Sequence, residues 1–304
     1  MDILGLGAVA VDEILRVQRY PAPDTKNGIQ GRLRQCGGLT ATALVAAARF
    51  GAKCSYAGQL GYDESSTFAA NAMQNAGVDL SHVLYDESAG AIQALIIAGD
   101  EDHTRTIFGE FPQKTGAAIN WPDAEIIQQA KALFVDTVGL EGMIRAAKIA
   151  REANIPVVAD VEGGNGEQFA EFLSLVDHLI IPQTFALSHT GTSTTPEAVA
   201  CLAPYHAVVA VTCGVHGCYW TGEGITEICH TPAYKVQVVD TTGCGDVFHG
   251  VYTAALVKEY SLPQRILYAS AAAAVKATRP GGQTGIADFL TIKQFVEDNS
   301  DELV

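Results

Sequence analysis

Short apolar, β-branched runs alternate along the chain with longer alanine-rich segments whose apolar positions recur at helical spacing. Strands are expected over Asp2–Leu6, Cys54–Ala57, Ala132–Val135, Pro156–Ala159, His178–Ile181, Ala207–Thr212 and Cys218–Trp220. Helices are expected over Ala41–Phe50, Thr67–Ala76, Glu141–Ala153, Gln168–Ser174, Pro196–Leu202, Val247–Glu259 and Pro263–Ala277. Strand followed by helix, repeated, with strands that are apolar on consecutive positions, is the pattern of a parallel sheet covered by helices on both faces. The fold class is therefore α/β, with a mostly parallel central sheet.

Two stretches break this rhythm. Val11–Gln35 and Ala91–Phe108 alternate with a period of two, carry turn residues at Pro21–Asp24 and Gly99–Asp102, and lack an accompanying helix. They read as a small antiparallel sheet, residues 11–36 and 90–110, projecting either as a lid over a site or as plain edge hairpins. Residues 1–304 then form one α/β domain with an excursion, and no second full domain is needed. Composition narrows the functions. A chain that is 48% hydrophobic and 17% charged is globular, and 19 Lys+Arg against 34 Asp+Glu give −15, which disfavours nucleic acid and anionic membranes as partners. The N-terminus lacks a signal-peptide pattern, no run has transmembrane length, and the seven scattered cysteines form no C-x-x-C pair. Free thiols in a reducing cytoplasmic setting are expected.

The chemistry concentrates in Tyr234–Tyr260. A strand over Lys235–Val239 is expected to end at Asp240, followed by the tight turn Thr241-Thr242-Gly243-Cys244-Gly245 and a helix opening at about Asp246. Glycines at 243 and 245 let backbone N–H groups converge at a helix N-terminus, whose dipole favours negative charge, so the turn is a cradle for an oxyanion. Asp246 in the first turn reads either as a helix cap or as a base. Beside bound phosphate a carboxylate is repulsive, and a loop that merely holds phosphate would avoid it. Its presence fits a base that takes the proton of a hydroxyl attacking phosphorus while the amides hold the transferring oxygens.

These residues resemble the ribokinase, or phosphofructokinase B, family of carbohydrate kinases. The family's C-terminal signature, D-T-x-G-A-G-D then F-x-G, is matched by Asp240-Thr241-Thr242-Gly243-Cys244-Gly245-Asp246 and Phe248-His249-Gly250. Its N-terminal signature is matched by Gly37-Gly38 leading the helix through Thr42 to Phe50-Gly51-Ala52, and by Gly58-Gln59-Leu60-Gly61-Tyr62-Asp63. The resemblance implies a ribokinase-like three-layer α/β/α fold with a β lid, and ATP-dependent phosphorylation of a primary hydroxyl of a small carbohydrate. It implies Asp246 as catalytic base, with Gly243, Cys244 and Gly245 as the anion hole and Cys244 standing for the usual alanine. By the same resemblance Asp12 binds sugar hydroxyls, Gly37 and Gly38 approach the sugar through their backbones, and Thr42 stands where ribokinase has an asparagine. Thr212, Gly214 and Gly217, with Thr241, resemble the loops near the nucleotide phosphates, and Ser270 to Ala274 the helix beside adenine. The implied cofactors are ATP, Mg²⁺ and a monovalent cation such as K⁺.

One departure concerns magnesium. The family's N-x-x-E motif is replaced by Pro182-Gln183-Thr184-Phe185-Ala186, which leaves Gln183 or Asp160 as candidate metal ligands. The loss also motivates a second reading, a catalytically silent sugar- or nucleotide-binding protein, against which the retained Asp246 stands. Val239–Gly243, Asp246–Gly250 and Thr278–Gly282 with Gly285-Ile286 are similar to the branch containing sulfofructose kinase, and Lys26 agrees with an anionic substrate. Thr137-Val138 supplies no second cation, so a neutral ketose stays open; a nucleoside is disfavoured because no aromatic cluster stands out in the lid. Lys26, Arg32, Arg34 and Arg105 lie in the lid stretches, facing either substrate or solvent. Gly5-x-Gly7-x-x-Ala10 matches a dinucleotide fingerprint formally, but prolines and strand-like alternation follow it, and no Walker loop exists. Apolar Ile92, Leu95 and Ile97 suggest a homodimer through the lid sheet.

Overall fold

The N-terminal part of the chain runs β1 (Ile3–Leu6), β2 (Ala10–Val17), β3 (Gly31–Gly37), α1 (Leu39–Arg49), β4 (Cys54–Tyr56), β5 (Gln59–Leu60), α2 (Glu64–Asn75), β6 (Leu84–Tyr85), β7 (Ile92–Gly99) and β8 (Arg105–Glu110). The middle adds α3 (Ala124–Ile127), β9 (Ala132–Val135), α4 (Leu140–Glu152), β10 (Val157–Asp160), α5 (Glu167–Ser174), β11 (His178–Pro182), α6 (Gln183–Thr190) and α7 (Thr195–Leu202). The C-terminal part comprises β12 (Val208–Thr212), β13 (Cys218–Gly222), β14 (Ile225–Thr231), α8 (Cys244–Val257), α9 (Leu262–Ala277) and α10 (Phe289–Asp298). The structure is a computed structural model and describes residues 1–101 and 104–299. Asp102 of the expected turn, and residues 300–304, lie outside the described residues.

An eight-stranded sheet in the order β14-β13-β12-β11-β10-β9-β1-β4 forms the middle layer. From β12 across to β4 every neighbour pair is parallel, and β13 and β14 extend one edge antiparallel. Alternate side chains serve opposite faces. Ile3, Phe134, Val158, Ile180 and Val208 pack toward α1, α8 and α9, whereas Leu4, Leu133, Val157, Leu179 and Val209 pack on the other side with residues of α4, α5 and α7. Burial on both faces is why these strands read as continuous apolar runs.

The two excursions meet in a separate four-stranded sheet, β3-β2-β7-β8. It is mixed: β2 pairs antiparallel with β3 and parallel with β7, and β7 pairs antiparallel with β8. Ile92 turns inward and is buried, while Leu95 and Phe108 are exposed.

One expected strand does not form, and another forms where none was expected. Lys235–Val239 forms no strand; the N–H groups of Val239 and Asp240 both donate to Ala277 O, at 2.8 and 3.1 Å, so the end of α9 takes the place of a ladder partner. The strand in this region is β14, an edge strand with an exposed face.

Helix α8 is buried from Val247 to Ala255 because α1 and α9 cover it on the side away from the sheet. Gly250 is where α1 approaches most closely: a Cβ there would sit 2.1 Å from Ala43 O, a backbone atom that cannot step aside. Gly250→Ala is therefore expected to cost about 2–3 kcal/mol by overpacking, a fall in Tm of about 5 °C or more by the usual scaling for a chain of this size. An unchanged calorimetric Tm would show that the α1–α8 crossing has slack.

Candidate active site

The carboxyl ends of β1, β9, β10, β11 and β12 lie along one edge of the sheet, where open parallel sheets bind ligands. Asp12, Asp136, Asp160, Gln183 and Thr212 all follow or end these strands. The N-terminus of α8 faces the same edge. His249, 3% exposed, fastens it there: Nδ1 lies 2.8 Å from Gly245 O and 3.3 Å from Asp160 Oδ2, and Nε2 lies 3.0 Å from Ile180 O. Burial lowers the His249 pKa against the pull of the two carbonyls and of Glu162, and the packed ring bridges Gly245 of α8 to Ile180 of β11.

Gly243, at φ 75°, caps α8 in the left-handed conformation with no side-chain cap. The N–H of Cys244 turns back to Thr241 O at 3.2 Å, leaving the amides of Gly243, Gly245 and Asp246 without an acceptor among the described residues. The loop ahead of them is held by Asp240, whose carboxylate accepts from Thr242 N and Gly281 N, both at 2.8 Å, while Lys276 Nζ donates to Asp240 O at 2.8 Å. Burial alone would raise Asp240, but these N–H donors and Lys276 hold it below the usual carboxylate range. Lys276 is itself buried, which lowers its pKa against the pull of Cys244, Asp240 and Asp246. The Cys244 thiol donates to Ala273 O, and burial pushes it up to about 11.

Asp246 is half-buried, in the first turn of α8 beside the free amides. Desolvation first, then the charges of Asp160, Glu162, Asp12 and Asp136, push its carboxyl well above the ordinary range; water reaching one side softens that rise. Asp160 is 2% exposed, its Oδ2 accepts no hydrogen bond, and burial with Glu162 and Asp136 nearby raises it strongly. Asp136 is fully buried but satisfied by Ala8 N, Val138 N and Thr40 Oγ1; burial wins, and it is raised to about 6.

Across from the cradle, Asp12 projects from β2 at the rim of the small sheet. Burial raises its pKa, opposed by the Gln35 amide, 3.4 Å away, and by Arg105. Gly37 lies against it, and Gly38 takes φ 94° where a Cβ would meet Ala8 O at 2.6 Å. Thr42 is buried and accepts from Gln283 Nε2 at 3.2 Å. The small sheet rests on the C-terminal loops twice: Gly282 N donates to Gln35 Oε1 at 2.9 Å, and Arg105 donates to Thr242 Oγ1 at 3.0 Å.

The remaining expected residues are more scattered. Gly214 and Gly217 bracket a tight turn after β12, closed by Cys213 N donating to Gly217 O at 2.7 Å. Thr241 is exposed, and Ser270 and Ala274 are half-buried one turn apart on α9. Gln183 spends its amide N–H on Thr195 Oγ1 at 2.7 Å. Lys26 stays in the exposed loop between β2 and β3, and no described contact ties it to Asp12 or the cradle. Arg34 lies on the outer face, paired with Glu13 and Glu64 over the Phe68 ring. Sequence reasoning did not single out Gln35, Asp136 or Lys276, and it left the direction of Arg105 open. Two cavities, about 300 and 670 Å³, open elsewhere, one beside Glu13 and Phe108 and the other beside Trp121 and Leu140.

This arrangement has counterparts in known proteins. The model of the pfkB family carbohydrate kinases matches residues 2–288. Ribokinase of Haemophilus influenzae is 28% identical over 300 residues, covering 96% of this chain and 97% of that protein. Fructokinase-1 of Oryza sativa subsp. japonica is 26% identical over 289 residues, covering 86% and 88%. The structure of Arabidopsis thaliana ribokinase complexed with ribose and ATP is similar in fold, with a TM-score of 0.85 at 23% identity over 97% of this chain and 98% of that one. With the family model spanning nearly the whole chain, and both signature segments gathered at one sheet edge, the chain belongs to the pfkB family of carbohydrate kinases.

Proposed function

We propose that this carbohydrate kinase transfers the γ-phosphoryl group of ATP to a primary hydroxyl of a small neutral sugar, a ketose being the first candidate. The observation that carries the reading is Asp246, a carboxylate of raised pKa set beside three free backbone amides at the α8 N-terminus. Asp246 takes the hydroxyl proton, the sugar oxygen forms the new O–P bond, and the bond to the ADP oxygen breaks. The amides of Gly243, Gly245 and Asp246 hold the charge that gathers on the phosphoryl oxygens. Asp12 and the Gly37-Gly38 backbone orient the sugar. The turn Thr212–Gly217 with Thr241, and the half-exposed side of α9 at Ser270 and Ala274, offer the nucleotide its place. The small sheet acts as a lid that excludes water from the transfer.

A neutral sugar is favoured because Lys26 and Arg32 are exposed, Arg34 is committed outward to Glu13 and Glu64, and Arg105 is engaged by Thr242 beside the cradle. Magnesium fits this donor set in part. Asp160 offers a buried carboxylate oxygen without a hydrogen bond, Glu162 lies close, and a hard cation takes such oxygens along with water and phosphate. When bound there, Mg²⁺ would neutralise nucleotide phosphate charge. No group of three or more metal-ligating side chains gathers among the described residues.

The test is a panel of ketoses, aldoses and their phosphorylated and sulfonated forms with MgATP, read by coupled ADP release. A neutral sugar is expected to raise ADP release well above the rate with ATP alone. Intact ADP binding with no stimulation by any sugar would favour the silent binding protein, and stimulation confined to anionic sugars would overturn the choice of a neutral one.

A further inference from the structure

Neither Asp12, Asp246 nor the amide cradle lines the larger cavity, of about 670 Å³. It lies between the chain from Gln113 to Trp121 and the start of α4, with Gln59 and Leu84 also in its wall. What marks it is unspent polar capacity. Gln59 is only 8% exposed, yet its side-chain amide makes no hydrogen bond among the described residues. Thr115 Oγ1 is fully buried and equally without a partner. Groups of this kind cost stability until something satisfies them. Gly139 caps α4 in the left-handed conformation, at φ 88°, without a side-chain cap, and the N–H groups of Leu140, Glu141 and Gly142 have no acceptor among the described residues. A buried amide, a buried hydroxyl and an uncapped helix start thus border one space. Trp121 adds an indole ring, held by Nε1 donating to His82 O at 2.7 Å. Val138 ties the cavity to the transfer site, because its N–H donates to Asp136 Oδ1 at 2.7 Å.

The charges decide what fits there. Lys114 and Glu141 are the charged side chains of the lining, and Lys114 is drawn to Asp86 at 2.8 Å. Glu141 leaves a carboxylate in the first turn of α4, which repels an anion that free amides alone would attract. A cation would suit Glu141 but would face the positive end of the helix. A neutral polyhydroxylated molecule meets both, because each hydroxyl can accept from an amide N–H and donate to a carboxylate or to Gln59 Oε1. The indole, with Leu84 and Leu140, gives its C–H faces an apolar surface. We propose that this cavity is a second carbohydrate site, separate from the site of phosphoryl transfer, in which a neutral sugar lies against Trp121. Its occupant is a free sugar or the end of a short oligosaccharide, which share this chemistry.

The test titrates the Asp12→Ala protein, in which the transfer site should hold sugar poorly, with neutral pentoses, hexoses and disaccharides. Binding is followed by calorimetry and by tryptophan fluorescence. Saturable binding with a Kd on the order of 1 mM is expected, with a fluorescence change that Trp121→Phe removes. Gln59→Leu and Glu141→Ala, each added to Asp12→Ala, are expected to weaken it about tenfold, while ADP binds as before. Leucine keeps the bulk of the buried side chain and Glu141 is exposed, so both variants should fold. A preference for disaccharides would identify the end of an oligosaccharide as the occupant of the same site, and a preference for monosaccharides a free sugar. Binding that neither variant weakens would put the sugar elsewhere and overturn the proposal. So would the absence of saturable binding by any neutral sugar, or binding confined to phosphorylated and sulfonated sugars. No readout here needs turnover, so failure would leave the kinase reading untouched, and Asp246 substitutions test that reading separately.

Discussion

Asp246→Asn is expected to lower kcat by about 10³- to 10⁴-fold, the upper part of the range for a positioned general base, while ADP and sugar bind as before. Asparagine keeps the size and the acceptor oxygen of the side chain in the first turn of α8, so the helix start survives. What it loses is the capacity to take a proton. The raised pKa adds a second readout. A base must be ionised to act, so kcat falls as pH drops through the Asp246 pKa, about tenfold per unit well below it. Desolvation and four neighbouring carboxylates place that limb above the ordinary Asp range near 4. The variant should lack the limb. Stability moves the other way. A carboxyl whose folded pKa is raised stabilises the fold in its protonated form, and that contribution is lost as pH rises through the folded pKa. At neutral pH the asparagine protein should therefore be at least as stable as the parent in thermal melts, the usual sign of a group kept for function at a cost in stability. Activity within tenfold of the parent would remove Asp246 from the role of base.

How far the sequence anticipates this site depends on which physical signal each part leaves in one dimension. The parallel strands are readable because burial on both faces makes them continuous apolar runs, as in Val208–Thr212. Lys235–Val239 mimics that signal but leaves Val238 and Val239 exposed, since apolar content does not guarantee a ladder partner. Ile225–Thr231 pairs along one edge only, and its polar residues hide the strand. Helix α6, Gln183–Thr190, buries only Phe185 and Ala186 and so lacks a regular apolar stripe. The cradle is readable because glycines and a first-turn carboxylate are local features. Asp136 and Lys276 are not, because what marks them is burial by segments far away in sequence. Arg105 is intermediate: the sequence puts a cation in the small sheet, but only the register of β7 with β8 decides which face it takes.

Asp12 makes the same point from the sugar side, and its removal should have the second large effect. Asp12→Ala is expected to lower kcat/KM for the sugar by on the order of 10² to 10³, since two charge-assisted hydrogen bonds to hydroxyls are worth about 3–5 kcal/mol together. Asp12 is half-buried beside Gly37, and among the described residues its one side-chain hydrogen bond, from Gln35 Nε2, is long at 3.4 Å. Its oxygens are thus poorly satisfied before a ligand arrives. Burial raises its pKa and so disfavours the ionised form, and hydroxyl donors of a bound sugar would favour it again. Sugar binding should therefore release a fraction of a proton near the Asp12 pKa, and calorimetry in buffers of different ionisation enthalpy would detect it. The alanine variant should show neither the release nor tight binding, yet keep its ADP affinity and its Tm within a few degrees. A loss confined to kcat, with sugar affinity intact, would mean that Asp12 does not hold the acceptor, and the sugar would then have to be sought on another part of the sheet edge.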